Sequence, residues 1–194
     1  LVHLFGAKSP PPLTDIPTLS DAAQCAGWGH KKPYGLASVV SFYPTKTLGA
    51  AGDAGALLSD SPEILKKVRC LANHGHVDQE GYRYLGRNSR LDALQAAILK
   101  VYLDRLEDRV SRRRSVARRY ETLIGEFALP RDPKDAVHQF ILCHPERDRI
   151  AESLAQKGIE TAIYYRRPLY QEPLFKGLNT RHTPNAVRYT NQCL

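Results

Sequence analysis

The chain has 194 residues, and its 28 Lys and Arg residues against 20 Asp and Glu residues give a formal net charge of +8. Hydrophobic residues make up 42% and charged residues 25% of the sequence, which is typical of a globular protein and excludes collagen-like, coiled-coil and disordered classes. We find no run of about 20 apolar residues that could span a bilayer and no targeting-peptide pattern. The composition therefore predicts a globular protein without a membrane partner.

Four cysteines lie far apart in the sequence, and no two of them form a Cys-x-x-Cys pair. This spacing favours reduced thiols in a cytoplasmic protein over a disulfide framework. Cys70, His74 and His76 fall close together, but a tetrahedral zinc site needs a fourth ligand, and none stands near them in the sequence. We therefore expect no metal site.

The first half of the chain predicts two short strands and a helix. Residues 36–42 are apolar and β-branched at their centre, which is typical of a strand buried on both faces. The glycine-rich stretch 49–55 then predicts a turn into a second strand at 56–58. Residues 61–63, Ser-Pro-Glu, predict the start of a helix that ends near Asn73.

The second half predicts one long helix followed by a strand-helix-strand unit. From Ser89 to Ile124, apolar residues recur at spacings of three and four, which indicates a single long amphipathic helix. Residues 137–143 and 159–165 have the composition of strands, and residues 147–157 between them predict a helix.

Six arginines fall between residues 109 and 119. One interpretation is a phosphate-binding stripe for nucleic acid, and the other is a solvated helix face. The arginines spread around the helix, and Glu107 and Asp108 beside them neutralise part of the charge. We therefore favour the solvated face and expect no nucleic-acid partner.

Lys46 directly follows the first predicted strand, between the segment Ser-Phe-Tyr-Pro-Thr (41–45) and a glycine-rich stretch. Burial disfavours the ammonium form of lysine, and the neutral amine is the nucleophile that forms Schiff bases with carbonyl compounds. Glycines at such a turn let a flat cofactor approach the backbone. From spacing alone, a loop lysine that reaches solvent is the commoner interpretation, so both interpretations stay open at this point.

Further motifs accompany the Lys46 segment in a fixed order along nearly the whole chain. They are Leu1 to Gly6, Asp21-Ala22-Ala23-Gln24, Asn73-His74-Gly75, Gly86 to Asp92, Gln95 to Leu99, His138-Gln139-Phe140 and Tyr164 to Leu169. Together with Ser-Phe-Tyr-Pro-Thr-Lys-x-Leu-Gly-x-x-Gly-Asp-x-Gly-Ala around Lys46, this ordered set resembles the DegT/DnrJ/StrS family of pyridoxal-phosphate sugar aminotransferases. Several ordered motifs are far more specific than any one of them.

The resemblance implies an α/β fold of the aspartate-aminotransferase type, that is, a fold type I PLP-dependent transferase. Residues 1–110 would form part of the large cofactor-binding domain, and residues 111–194 would form the small α+β C-terminal domain. A complete family chain is roughly twice this length, so the resemblance also implies that the first half of the large domain is absent from this sequence.

The resemblance further implies roles for individual residues. Lys46 would bind pyridoxal phosphate as a Schiff base and move the proton between substrate carbon and cofactor carbon. Asp21 would face the pyridine nitrogen, Gln24 the ring or its phenolic oxygen, and Ser41 the phosphate. Asn88 would reach the phosphate bound by the neighbouring subunit, which implies a homodimer.

Substrate contacts are implied for three residues, His74, Tyr164 and Tyr165. Family members usually have histidine at the position of Tyr164, so this departure leaves the substrate preference open. Taken alone, each candidate also has an ordinary structural interpretation: His74 would end a helix, and Asp21 or Asn88 would cap one.

The implied activity is transfer of an amino group, from a donor such as glutamate, to a keto-sugar linked to a nucleotide, in the cytoplasm. One alternative is a PLP-dependent sugar dehydratase, whose members can replace the lysine with histidine; Lys46 argues against it. A second alternative is a truncated, non-catalytic remnant of the family, since half of the large domain is absent.

Overall fold

A computed structural model describes residues 1–10, 15–26, 35–175, 177–178 and 183–194. The chain divides into two compact units. Unit 1 comprises residues 1–117 and 131–139, and unit 2 comprises residues 118–130 and 140–194. The predicted domain boundary after residue 110 stays a prediction, because a compact unit is not by itself a functional domain.

Unit 1 contains a three-stranded sheet whose strands are β1 (Leu19–Asp21), β2 (Ala37–Ser41) and β3 (Gly55–Leu58). The central strand β2 pairs with β1 in parallel and with β3 antiparallel. Both strands predicted from the sequence, at 36–42 and 56–58, are therefore confirmed. Because β1 and β2 are parallel, their carboxyl ends lie at one edge of the sheet.

The prediction that the first strand is buried on both faces is wrong. Ala37 and Ser38 are buried, but Val39 is 45% exposed. A short apolar run indicates a strand without showing which faces are covered, and in the described part of the chain one face of β2 reaches solvent at Val39.

The first helix, α1 (Pro62–Ala72), begins where the sequence predicts. The Ser61 hydroxyl accepts a hydrogen bond from the Ile64 N–H at 3.3 Å, which satisfies one of the unpaired donors of the first turn. After α1 the chain turns and forms a two-stranded antiparallel hairpin, β4 (His76–Val77) and β5 (Gly81–Tyr82).

The prediction of one uninterrupted long helix is wrong, because two helices, α2 (Ala93–Leu103) and α3 (Leu106–Ile124), occupy this stretch. Between them the Arg105 N–H donates to the Tyr102 carbonyl three residues back, so the backbone tightens locally from the α-helical to the 3-10 pattern. Apolar spacings of three and four residues fit both patterns, and therefore the periodicity does not reveal the break.

The packing of α2 also differs from the predicted apolar face. Leu99 is buried and forms a cluster with Leu48 and Ala50, which follow Lys46 in the chain. By contrast, Leu94 is 73% exposed and Val101 is 53% exposed. The sequence of α2 is apolar around most of its circumference, so periodicity could not single out the side that packs against Leu48 and Ala50.

Unit 2 contains α4 (Arg147–Gln156), as predicted, and α5 (Pro184–Gln192). The predicted strands at 137–143 and 159–165 are wrong. Val137 has a φ of +47°, which is incompatible with extended backbone. In the described part of unit 2, strand-like pairing is limited to isolated bridges, of Ala128 with Leu142 and of Cys143 with Cys193.

Two features are absent from the described residues. None of their helices combines the length and apolar character that a bilayer span requires. Likewise, no three of their His, Cys, Asp or Glu side chains are grouped in a way that could hold a metal ion.

The turn after α1 depends on close backbone contact between two glycines. Gly75 has a φ of +78°, and a Cβ added there would lie 1.7 Å from the Tyr84 carbonyl oxygen. A Cβ on Gly86 would lie 2.1 Å from the Gly75 nitrogen. Gly81, in the neighbouring hairpin, has a similar φ of +72° but has nothing within 4 Å of an added Cβ.

We expect Gly75→Ala to destabilise the protein much more than Gly81→Ala. Both substitutions force alanine to adopt a positive φ, at about 1–3 kcal/mol each, but only Gly75→Ala also drives a methyl group into backbone, which adds about 1–3 kcal/mol. Urea unfolding followed by circular dichroism measures the difference. Equal free energies of unfolding for the two variants would contradict the close contact at Gly75.

Candidate active site

Lys46 is half-buried in a closed turn that connects β2 to β3. The Lys46 N–H donates to the Tyr43 carbonyl at 2.8 Å. At the base of the turn the Phe42 N–H donates to the Ala54 carbonyl at 2.8 Å, and the Ala50 N–H donates to the Phe42 carbonyl at 2.7 Å. These bonds fix the backbone that carries Lys46 at the end of the central strand.

Gly49 and Gln95 complete this turn. A Cβ on Gly49 would lie 2.5 Å from the Pro44 carbonyl oxygen, so only glycine allows the two sides of the turn to approach. The Gln95 carboxamide oxygen, on α2, accepts a hydrogen bond from the Ala51 N–H at 2.9 Å. Gln95 belongs to a sequence motif without a predicted role, because a contact across 44 residues leaves no local signal.

Asp21 and Ser41 lie at the same edge of the sheet as the Lys46 turn. Asp21 is the last residue of β1, and Ser41 is the last residue of β2. Asp21 is exposed, and its carboxylate accepts a hydrogen bond from the Ala23 N–H at 3.0 Å. The structure therefore places three of the predicted cofactor residues, Asp21, Ser41 and Lys46, at the carboxyl edge of the parallel pair.

Gln24 has a structural contact of its own. Its carboxamide oxygen accepts a hydrogen bond from the Phe5 N–H at 2.5 Å. The Phe5 carbonyl in turn accepts a hydrogen bond from the His138 N–H at 2.9 Å. Phe5 thus connects Gln24 to His138, and the amide NH₂ of Gln24 is the group that remains suited to donate to a ligand.

His138 is the neighbour of Lys46 that sequence reasoning missed. The pKa of its imidazole is lowered from its ordinary value of 6.5 to about 4, first by burial and then by the positive charges of Lys46 and Arg113. Its Nδ1 atom is buried without a hydrogen-bond partner among the described residues. His138 is therefore a neutral, partly buried imidazole within electrostatic range of the lysine.

Two arginines of α3 bind the backbone of residues 135–138. Arg113 donates to the His138 carbonyl at 3.0 Å, and Arg114 donates to the Asp135 carbonyl at 2.9 Å. Burial, and secondarily the charge of Arg109, lowers the pKa of the Arg113 guanidinium. The prediction of a solvated arginine face is therefore wrong for these two side chains, which hold the backbone around His138.

Asn88 and His74 belong to the turn after α1. Asn88 is exposed, pairs with Asn73 in an isolated bridge and accepts a hydrogen bond from the Arg90 guanidinium at 3.0 Å. His74 is exposed with a φ of +61°, and its N–H donates to the Arg87 carbonyl at 3.0 Å. The roles predicted for Asn88 and His74 stay predictions.

Tyr164 and Tyr165 are the predicted site residues that belong to unit 2. They are 45% and 54% exposed, respectively. Their rings meet edge to face, with centroids 5.7 Å apart. Exposed aromatic rings can stack on a sugar or a base, and the predicted substrate contacts stay predictions.

We expect His138 to make folding sensitive to mild acid. Between about pH 6.5 and pH 4 the unfolded imidazole binds a proton that the folded imidazole does not, so the free energy of unfolding falls as the pH falls through this window. Urea unfolding at about pH 7 and about pH 5 measures this loss. His138→Gln should lose part of the pH dependence, and the exposed control His74→Asn should keep it. An unchanged pH dependence in His138→Gln would contradict the buried, neutral imidazole.

The family match and the similar relatives agree on one protein family. The profile of the DegT/DnrJ/EryC1/StrS aminotransferase family matches residues 13–194. Among curated proteins, the chain is 34% identical over 190 residues to a pleiotropic regulatory protein of Geobacillus stearothermophilus, with 91% of this chain and 51% of that protein covered. It is 33% identical over 209 residues to the UDP-N-acetyl-3-dehydro-alpha-D-glucosamine 3-aminotransferase of Acidithiobacillus ferrooxidans, with 100% of this chain and 57% of that protein covered.

Among solved structures, S. venezuelae DesV in complex with a ketimine intermediate superposes with a TM-score of 0.88 at 29% identity, and 99% of this chain and 57% of DesV are covered. The chain spans about half the length of the curated relatives it matches. The predicted α/β fold of the PLP-dependent transferases, with a partial large domain, is confirmed. With the Lys46 turn at the sheet edge and a family match over nearly all of the chain, this protein belongs to the DegT/DnrJ/EryC1/StrS aminotransferase family.

Proposed function

We propose that this chain is the lysine-bearing part of a pyridoxal-phosphate-dependent aminotransferase that moves an amino group from glutamate to a keto-sugar linked to a nucleotide. The observation that carries the proposal is the position of Lys46, in a closed turn at the edge where Asp21 and Ser41 end the parallel strands. A family match over residues 13–194 supports it. Relatives named as nucleotide-sugar aminotransferases support the substrate class.

The described residues fit this cofactor chemically. Lys46 offers a primary amine for an aldehyde, Ser41 offers a hydroxyl for a phosphate, and Asp21 offers an exposed carboxylate for a protonated ring nitrogen. Next to Lys46, the Thr47 hydroxyl is buried without a hydrogen-bond partner among the described residues, as is Nδ1 of His138. Unpaired buried polar atoms are unfavourable unless a ligand or water satisfies them, so their presence here supports a polar ligand.

Pyridoxal phosphate, when bound, supplies an aldehyde that accepts the amino group and a ring that accepts electrons from the reacting carbon. Lys46 would hold the cofactor through its primary amine. When an amino donor takes that place, Nζ would serve as the base that takes a proton from the donor carbon and delivers it to the acceptor carbon. The closed turn fixes the backbone of Lys46, so only its side chain has to move.

Asp21 and Ser41, at the ends of the parallel strands β1 and β2, would orient the cofactor bound to Lys46. The Asp21 carboxylate would hold a proton at the ring nitrogen, which would favour electron withdrawal from the reacting carbon. The Ser41 hydroxyl would donate to the phosphate, and the Gln24 amide would donate toward the ring. His138 remains neutral above a pH of about 4 and so adds no second positive charge beside Nζ.

The proposal includes a homodimer, in which Asn88 of one subunit reaches the phosphate bound by the other. Asn88 is exposed, as such a contact requires. His74, Tyr164 and Tyr165 are the proposed contacts of the sugar nucleotide, and the cytoplasm is the proposed location. A sugar dehydratase is the less favoured chemistry, because the position that distinguishes it carries lysine.

A second candidate function is cofactor binding without turnover. The observation in its favour is that the chain spans about half the length of its curated relatives. The two candidates differ in one property, the response of a bound cofactor to glutamate.

We expect the purified chain mixed with pyridoxal phosphate to give a visible absorption band that Lys46→Ala lacks, because the band requires the covalent bond to Nζ. Borohydride reduction followed by mass spectrometry should place the cofactor on Lys46. Lys100→Ala, which removes an exposed lysine of α2, is the matched control and should keep the band.

Glutamate then separates the two candidate functions. Loss of the band on addition of glutamate supports the aminotransferase, and a band that glutamate does not change supports binding without turnover. A folded sample that gives no band, or an equal band in Lys46→Ala, would contradict both.

A further inference from the structure

Two cysteines that are distant in the sequence meet in unit 2. Cys143 and Cys193 are 50 positions apart in the chain, yet their sulfur atoms lie 3.0 Å from each other. The spacing of the four cysteines does not predict this contact. Cys193 follows α5 directly, and Cys143 lies four positions before Arg147, the first residue of α4.

The backbone around this pair is fixed by strand-like hydrogen bonds. The Leu142 N–H donates to the Leu194 carbonyl at 3.0 Å, and the Leu194 N–H donates to the Leu142 carbonyl at 2.8 Å. On the other side, the His144 N–H donates to the Gln192 carbonyl at 2.9 Å. Cys143 and Cys193 therefore face each other at the non-hydrogen-bonded position of an antiparallel bridge.

That position suits a disulfide. Residues in a non-hydrogen-bonded pair have Cα atoms about 4.5 Å apart, within the range of about 4.4–6.8 Å that disulfides require. The sulfur atoms have to close from 3.0 Å to about 2.05 Å. This shift needs a small rotation of the side chains and no movement of the backbone.

The two thiols differ in accessibility, which sets their order of reaction. Cys143 is partly exposed, and Cys193 is only 4% exposed. Burial, followed by the hydrogen bond with Cys143, raises the pKa of Cys193 to about 12, while Arg147 and Arg188 act in the opposite direction. A small oxidant therefore reaches Cys143 first, and Cys193 reacts second.

Arg147 holds the backbone at Cys193 by hydrogen bonds. Its buried guanidinium donates to the Cys193 carbonyl at 2.6 Å and to the Thr190 carbonyl at 3.3 Å. Its Nε also donates to the Asp148 carboxylate at 2.7 Å. The C-terminal end of α5 is thus held against the start of α4 while the two thiols are reduced.

We propose that Cys143 and Cys193 form a reversible intramolecular disulfide when a small-molecule disulfide, such as glutathione disulfide, is available as oxidant. The Cys143 thiolate attacks one sulfur of the oxidant and releases one thiol, leaving a mixed disulfide on Cys143. Cys193 loses its proton and attacks Cys143 Sγ, which releases the second thiol. Two cysteine thiols lose two electrons, the oxidant gains them, and the two protons end on the two released thiols.

The covalent bond would fix the end of α5 to residue 143 and restrict the unfolded chain between residues 143 and 193. We therefore expect oxidation to raise the thermal unfolding midpoint by roughly 5–10 °C. Removing one of the two sulfurs should abolish this shift, because the remaining thiol has no partner for a bond.

To test the proposal, the full chain is incubated with mixtures of oxidised and reduced glutathione. The remaining thiols are then blocked with N-ethylmaleimide in denaturant, and tryptic peptides are mapped without reduction. We expect two of the four cysteines to escape alkylation at high oxidised fractions, and peptide 135–147 to be linked to peptide 189–194. Dithiothreitol should reverse both results.

Three variants complete the test. Cys143→Ser and Cys193→Ser should lose the linked peptide and the thermal shift, and Cys70→Ser should keep both. The wild-type peptide map decides the question even if a variant fails to fold. Four alkylated cysteines at every mixture, a linkage between other cysteines, or a reaction that stops at the mixed disulfide on Cys143 would each overturn the proposal.

Discussion

A buried carboxylate, Asp135, joins three stretches of unit 1 that are distant in sequence. Its side-chain oxygens accept hydrogen bonds from the Lys8 N–H at 3.0 Å and the Asp132 N–H at 2.9 Å, and its backbone carbonyl accepts one from Arg114. A charged group that is only 4% exposed is tolerated because these partners satisfy it. The bonds hold residues 5–8 against residues 135–138, and the positions of Gln24 and His138 follow from that contact.

The Lys46 turn has two independent supports. Hydrogen bonds between residues 42 and 54 close it locally, and Gly49 permits the close approach of its two sides. From α2, Gln95 binds its backbone and Leu99 packs against Leu48. The local hydrogen bonds define the conformation of the turn, and the contacts with α2 define its position. A lysine that has to hold a cofactor and then move a proton needs both, because small displacements of a reacting group slow the chemistry.

Three arginines of this basic chain have a structural role. Arg113 and Arg114 donate to backbone carbonyls in unit 1, and Arg147 does the same in unit 2. In each unit, guanidinium groups satisfy carbonyls on stretches that lack regular strand pairing, around His138 and around Cys193. Arginine suits this role because its planar group carries five donors and stays charged when partly buried. A cluster of arginines in a sequence is therefore weak support for a nucleic-acid site.

The sequence alone determined the family, the lysine and the elements with strong local signals: the β2 strand, the capped start of α1, and α4. These depend on residue type and short spacing, which act within a few residues. The structure alone decided which apolar faces are buried, where the long helix breaks, and that 137–143 and 159–165 are not strands. It also decided that His138 lies near Lys46 and that Cys143 meets Cys193. These features depend on contacts between residues that are distant in the sequence, and local conformational preference does not identify which distant residue makes the contact.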